Sequence, residues 1–145
     1  MKIALYIAFQ NKSSIDCSKE IIDLISDSNQ LVVDSKLKNE IDKNRSDNLI
    51  FFDSNESIDP DIDFVFAVGG DGTILRTITY VKDSDIPILG VNTGRLGFLT
   101  SIQKESISDA ISNIKNNKFS VINRTVLKVN LSSLNNTFSN YPYAL

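Results

Sequence analysis

The chain contains no histidine and a single cysteine, Cys17. Without histidine, the common zinc ligand sets and every Ser-His or Cys-His nucleophile pair are excluded, and a lone cysteine cannot close an internal disulfide. Whatever chemistry occurs falls to carboxylates, hydroxyls, lysine, arginine, backbone groups or a bound ion. Cys17 itself lies in an apolar helical pattern, where an inert, half-buried thiol is the default. A block of basic charge is also missing. Acidic and basic residues are interspersed at a net charge of −3, which gives nothing to draw nucleic acid or an anionic membrane surface. No run approaches the roughly 18 apolar residues of a membrane span. The opening "MKIALYIAFQNK" is apolar but lacks an A-x-A-like cleavage site, so it reads as a buried first strand rather than a signal peptide. These absences together read as a cytoplasmic protein with neither a nucleic-acid nor a membrane partner.

What is present suits one ordinary globular domain: 145 residues, of which 41% are hydrophobic and 23% charged. "KIALYIAF" (2–9) reads as a strand, and 14–26 places Ile15, Ile21, Ile22, Leu24 and Ile25 at helical spacing behind a Ser-Ser cap. "LVVD" (31–34) is a short strand. Within the polar stretch 35–61 only "NLIFFD" (48–53) reads as another. "DFVFAV" (63–68) is a continuous apolar and β-branched run, the pattern of a strand covered on both faces. A helix over 72–83 follows, with Ile74, Leu75, Ile78 and Val81 on one face, then a buried strand over 86–91 and a helix over 106–117. Alternating strands and helices predict an α/β layer built on a parallel sheet. After Lys118 the pattern changes to period two, with a turn signal at Asn135–Asn136, which predicts the start of a β-hairpin. A lone hairpin is marginal in water, so residues 119–145 read as the opening of an incomplete all-β unit behind an α/β domain over 1–118.

Glycine is scarce and concentrated. All six glycines fall between positions 69 and 97, three in "GGDGT" and three in "GVNTGRLGF". Each cluster follows a predicted buried strand, which is where ligands bind in open α/β sheets. Glycine serves where backbone must take a positive φ or touch a ligand, and the N–H groups at a helix mouth form an anion site aided by the helix dipole. "GGDGT" therefore reads as a phosphate-binding turn. The aspartate inside it would repel a bare phosphate, and two roles suit it: accepting a proton from a hydroxyl that attacks phosphorus, or reaching a magnesium ion. The bland alternative is a tight turn in which Asp71 merely caps its helix. Named phosphate motifs fail on spacing. There is no G-x-x-x-x-G-K-[ST], and a G-x-G-x-x-G beginning at Gly70 would need glycine where Leu75 stands, which excludes an ordinary Rossmann dehydrogenase. Asp59, Asp61 and Asp63 mimic the start of a calcium loop, but Phe64 occupies the place that requires glycine.

"VGGDGTIL" (68–75) resembles the signature shared by NAD kinases and by the diacylglycerol and sphingosine lipid kinases. "GVNTGRLGFLT" (90–100) is similar to the second signature of NAD kinases specifically, and "NRTVLKVNL" (123–131) to that family's entry into its all-β domain. The resemblance implies a Rossmann-like parallel sheet with flanking helices, followed by the first strands of an all-β domain. It also implies phosphoryl transfer from ATP, or polyphosphate in some members, to the 2′-hydroxyl of the adenosine ribose of NAD, giving NADP. Mg2+ or another divalent cation would accompany ATP.

By the same resemblance Asp71 is the proton acceptor, Gly72 a backbone contact to NAD, and Arg76 a substrate contact. Gly70 and Thr73 line the phosphate pocket, Asn92, Gly94 and Gly97 shape its wall, and Phe98 packs on a nucleotide base. From the residues alone, Phe98 is equally consistent with burial, and Arg95 with a phosphate contact or plain solvation. Family members commonly form homo-oligomers with sites near subunit contacts. They also carry an Asn-Glu pair past a strand like "YPYAL", whereas this sequence stops at Leu145. The expectation is an N-terminal portion with little catalysis of its own. A lipid kinase sharing only "GGDGT", or a non-catalytic nucleotide-binding module, are the competing readings. "NTGRLGF" argues against the first of these.

Overall fold

The computed structural model describes residues 1–25, 31–42, 49–95, 97–128 and 143–144. Its centre is β1 (Ile3–Ile7), all five residues of which are buried. Alternate side chains of a strand point to opposite faces, and the core divides accordingly. Ile3, Leu5 and Ile7 join one apolar cluster, while Ala4 and Tyr6 join another. A strand apolar on both faces is stable only with helices covering each side.

The sheet has six parallel strands. β1 pairs on one side with β2 (Leu31–Asp34), which pairs with β3 (Ile50–Phe52). On the other side it pairs with β4 (Phe64–Gly69), followed by β5 (Ile88–Asn92) and β6 (Ile102–Gln103). The spatial order is therefore β3-β2-β1-β4-β5-β6. Helix α1 (Lys12–Ile25) lays Cys17, Ile21, Ile22 and Ile25 on the face carrying Leu5 and Val33, and α3 (Ile107–Lys115) adds Ile107, Ile111 and Ile114 there. Helix α2 (Asp71–Val81) covers the opposite face. Its Tyr80 stacks on Tyr6 and on Phe52, with ring centroids 5.9 and 5.0 Å apart.

Several local expectations shift by a residue or two, and one changes in kind. α1 begins at Lys12 and its cap is Asn11, whose Oδ1 accepts from the Ser14 N–H at 2.9 Å. The two serines lie inside the helix. Ser13 instead donates its hydroxyl to the Thr93 carbonyl at 2.7 Å. Strand β6 was not expected; at two residues it carries no periodicity to read. In the C-terminal stretch β7 (Leu127–Lys128) pairs antiparallel with β8 (Tyr143–Ala144), and β8 runs beside α2. The turn expected at Asn135–Asn136 lies outside the described residues. Among the described residues no helix is long and apolar enough to cross a membrane.

Candidate functional site

The strand order reverses direction between β1 and β4, and in open sheets of this kind the crevice outside the carboxyl ends at that junction receives ligands. Three segments meet there: the exit of β1 (Ala8–Asn11), the turn from β4 into α2, and the loop from β5 to β6. They are tied together without help from a ligand. The Thr93 N–H donates to the Gly69 carbonyl at 3.3 Å, and the Ser101 N–H to the Gly90 carbonyl at 2.9 Å. Ser13 fastens the mouth of α1 to the same loop.

Both glycine clusters sort into internal and outward-facing positions. Gly69 ends β4 at a φ of 153°, where a side chain would be strained and would strike Thr73. Gly90 leaves room for α2, since a Cβ there would come within 2.7 Å of Ile74 Cδ1 and 2.9 Å of Thr100 Cα. Gly97 leaves room for the Asp71 carboxylate, which a Cβ would overlap. Gly70, Gly72 and Gly94 differ: all three are exposed, and among the described residues a Cβ at any of them would meet nothing within 4 Å. No atom of the described residues accounts for their lack of a side chain. A ligand lying against that backbone would.

Asp71 opens α2 but does not cap it. The N-cap is Gly70, with no side-chain cap bond. The carboxylate reaches instead across to the β5–β6 loop. Its Oδ2 accepts from the Phe98 N–H at 2.8 Å, and its Oδ1 from the Leu99 and Thr100 N–H groups at 3.0 and 3.2 Å. These bonds, Phe98's first, favour the charged form and hold the carboxyl below its ordinary pKa, with desolvation opposing only in part. Phe98, whose backbone is held by that bond, projects a ring that is 95% exposed. Burial of Phe98 is thereby excluded.

The other expected residues take different places. Asn92 is 3% exposed, donating to the Arg95 carbonyl at 2.8 Å and Thr100 Oγ1 at 3.0 Å while its Oδ1 accepts from the Gly94 N–H at 2.7 Å. Both amide protons are spent on its own loop, so it fixes the loop's shape from beneath. Thr73 is 2% exposed, its side chain against Gly69 and its N–H on the Gly70 carbonyl at 2.8 Å. Arg76 sits one turn along α2 with its guanidinium 4.7 Å from the centre of the Phe9 ring, a stacking distance. Arg95 is exposed. Sequence reading missed Phe9 and Ser13. Their only signal is position, at the exit of the first strand and the start of the first helix.

Residues 3–119 match the sequence model of the ATP-NAD kinase N-terminal domain. The chain belongs to the ATP-NAD kinase family. It is 38% identical over 134 residues to an NAD kinase of Christiangramia forsetii, covering 88% of this chain and 44% of that one. It is 31% identical over 148 residues to an NAD kinase of Flavobacterium johnsoniae, covering 100% of this chain and 50% of the relative. The chain thus spans about half the length of the NAD kinases it matches. Among solved structures it superposes on yeast NADH kinase complexed with NADH at a TM-score of 0.72 and 19% identity, over 88% of this chain and 41% of that one. An NAD kinase from Archaeoglobus fulgidus in complex with ATP gives a TM-score of 0.51 at 24% identity, over 88% and 40% of the two chains. At those identities the two structures establish a shared α/β fold.

Proposed function

We propose that this chain is the nucleotide-binding part of an NAD kinase, which moves a phosphoryl group from ATP or polyphosphate to the 2′-hydroxyl of the adenosine ribose of NAD. The observation that carries this reading is the carboxylate of Asp71, held by three backbone N–H groups between two glycine loops at the mouth of α2. The open backbone of Gly70 and Gly72 and the dipole of α2 suit a phosphate. The exposed Phe98 ring suits the face of a base. Arg76, stacked on Phe9, supplies a cation beside the same crevice.

Asp71 takes the proton of the attacking hydroxyl. Its lowered pKa makes it a weak base, which this chemistry tolerates: a loose phosphoryl-transfer transition state places little charge on the nucleophile, so most of the rate comes from holding the hydroxyl in line. Among the described residues no group of three or more His, Cys, Asp and Glu gathers to hold a metal. A divalent ion accompanying the donor would be held by the donor's phosphates, a common mode for magnesium. When bound, such an ion neutralises charge on the transferring group.

The test is NADP formation by the full-length protein from NAD and ATP, followed with an NADP-specific dehydrogenase. NADP accumulates, and Asp71→Ala lowers kcat by about 10²–10⁴-fold, the usual worth of a positioned acid or base. Absence of NADP, or unchanged turnover by the variant, contradicts the proposal.

A further inference from the structure

A carboxylate offers about four lone-pair positions, and the Asp71 contacts occupy three of them, two on Oδ1 and one on Oδ2. One position on Oδ2 is left for a hydroxyl donor. The same atom that would meet the ribose thus shares its oxygen with the Phe98 N–H. Phe98 is in turn the residue whose ring is almost wholly exposed. Asn92 pins the nearer part of this loop through Gly94, Arg95 and Thr100. Asp71 grips it at Phe98 and Leu99, from 27 and 28 residues away in sequence.

Space for that grip exists only because residue 97 has no side chain. A methyl group there would press on the carboxylate. The carboxylate is the movable end of a side chain, whereas the loop backbone is fixed at Asn92 and at the Ser101–Gly90 bond. The carboxylate yields first.

We propose that Asp71 is the latch of the second glycine loop as well as the group that meets the sugar hydroxyl, and that Gly97 is the positioning residue that admits the latch. The latch sets the Phe98 ring and the carboxylate in fixed relation, so that a base and its ribose are gripped together. Its effect on catalysis rests on the NAD kinase reading; the latch itself does not. One consequence concerns the obvious variant. Asp71→Asn replaces one acceptor oxygen with an NH2 group that faces either the Phe98 N–H or the Leu99 and Thr100 N–H groups, donor against donor. It therefore disturbs the loop and raises KM for NAD in addition to lowering kcat.

The experiment is a pH titration of the amide signals of Phe98, Leu99 and Thr100 in the 15N-labelled full-length protein, with steady-state kinetics on the same variants. In the parent, all three amides move together through one transition below about pH 4, where an ordinary aspartate titrates. In Gly97→Ala the common transition disappears while the rest of the spectrum is kept, and KM for NAD rises at least about tenfold, equivalent to 1.4 kcal/mol of lost binding. Asp71→Asn abolishes the transition by itself, which keeps the test decisive if Gly97→Ala does not fold. Amides indifferent to pH in the parent, or still titrating together in Gly97→Ala, overturn the latch. Amides that behave as expected while neither variant alters KM for NAD overturn the role of the latch in gripping base and ribose together, whereas absence of NADP formation by the parent overturns the NAD kinase reading and leaves the titrating latch standing.

Discussion

At the scale of single residues, Asp71 and Phe98 divide the work that a nucleotide would demand: one carries charge and the other a bare aromatic face. The Phe98 ring contributes almost nothing to the core, since it is 95% exposed. Phe98→Ala should therefore leave the melting temperature unchanged while weakening NAD binding by about 1–3 kcal/mol, the worth of one base–aromatic stack. Phe98→Tyr should restore it. Parallel thermal melts and KM measurements check both halves. Asp71 and its glycine neighbours were legible in the sequence because scarce glycines beside a carboxylate have few other uses in a turn. The separate roles of the second-cluster glycines were not legible. Gly97 faces Asp71 and Gly94 faces solvent, a distinction set by a partner 26 residues away. Thr73 and Asn92 were hidden for the same reason. Their types fit a pocket lining, but the structure spends the polar groups of Asn92 on its own loop and turns Thr73 down onto Gly69.

At the scale of elements, the site depends on how closely α2 approaches β5. Gly90 lies between them, and a Cβ there meets Ile74 Cδ1 at 2.7 Å and the Thr100 backbone at 2.9 Å. Ile74 could move; the Thr100 backbone belongs to the loop that Asp71 holds. Gly90→Ala should destabilise the fold by about 1–3 kcal/mol, the cost of overpacking a filled interior, and denaturant melts with an unchanged m-value would register it. The long elements were legible because each buries a regular stripe: β1 and β4 as unbroken apolar runs, α1 and α2 through isoleucines three and four residues apart. The start of α1 was misread because Asn11, Ser13 and Ser14 lie within four residues and each type can cap a helix. Their roles separate in the folded chain, where Asn11 accepts from the Ser14 N–H and Ser13 bonds to Thr93. β6 escaped notice because two residues joined to β5 through Val91 and Asn92 obtain their strand conformation from the neighbour rather than from their own pattern.

At the scale of the whole molecule, the place of the candidate site follows from strand order. The order β3-β2-β1-β4-β5-β6 places its reversal beside β4, which ends in the first glycine cluster, and sets β5 with the second cluster next to it, so motifs some twenty residues apart lie at one edge. Sequence predicted the parallel sheet from alternating elements but could not order the strands, since every βαβ unit obeys the same local rules. The split of β1 between two apolar clusters fixes α1 and α3 on one face and α2 on the other, leaving the carboxyl edge open. The most direct measurement is a crystal structure of the full-length protein with NAD bound. The adenosine ribose should lie at this edge, its 2′-hydroxyl within about 3 Å of Asp71 Oδ2 and its base against the Phe98 ring, with the carboxylate still bonded to the loop. An adenosine ribose bound elsewhere, or one seated in the crevice with its 2′-hydroxyl turned away from Asp71, would contradict it.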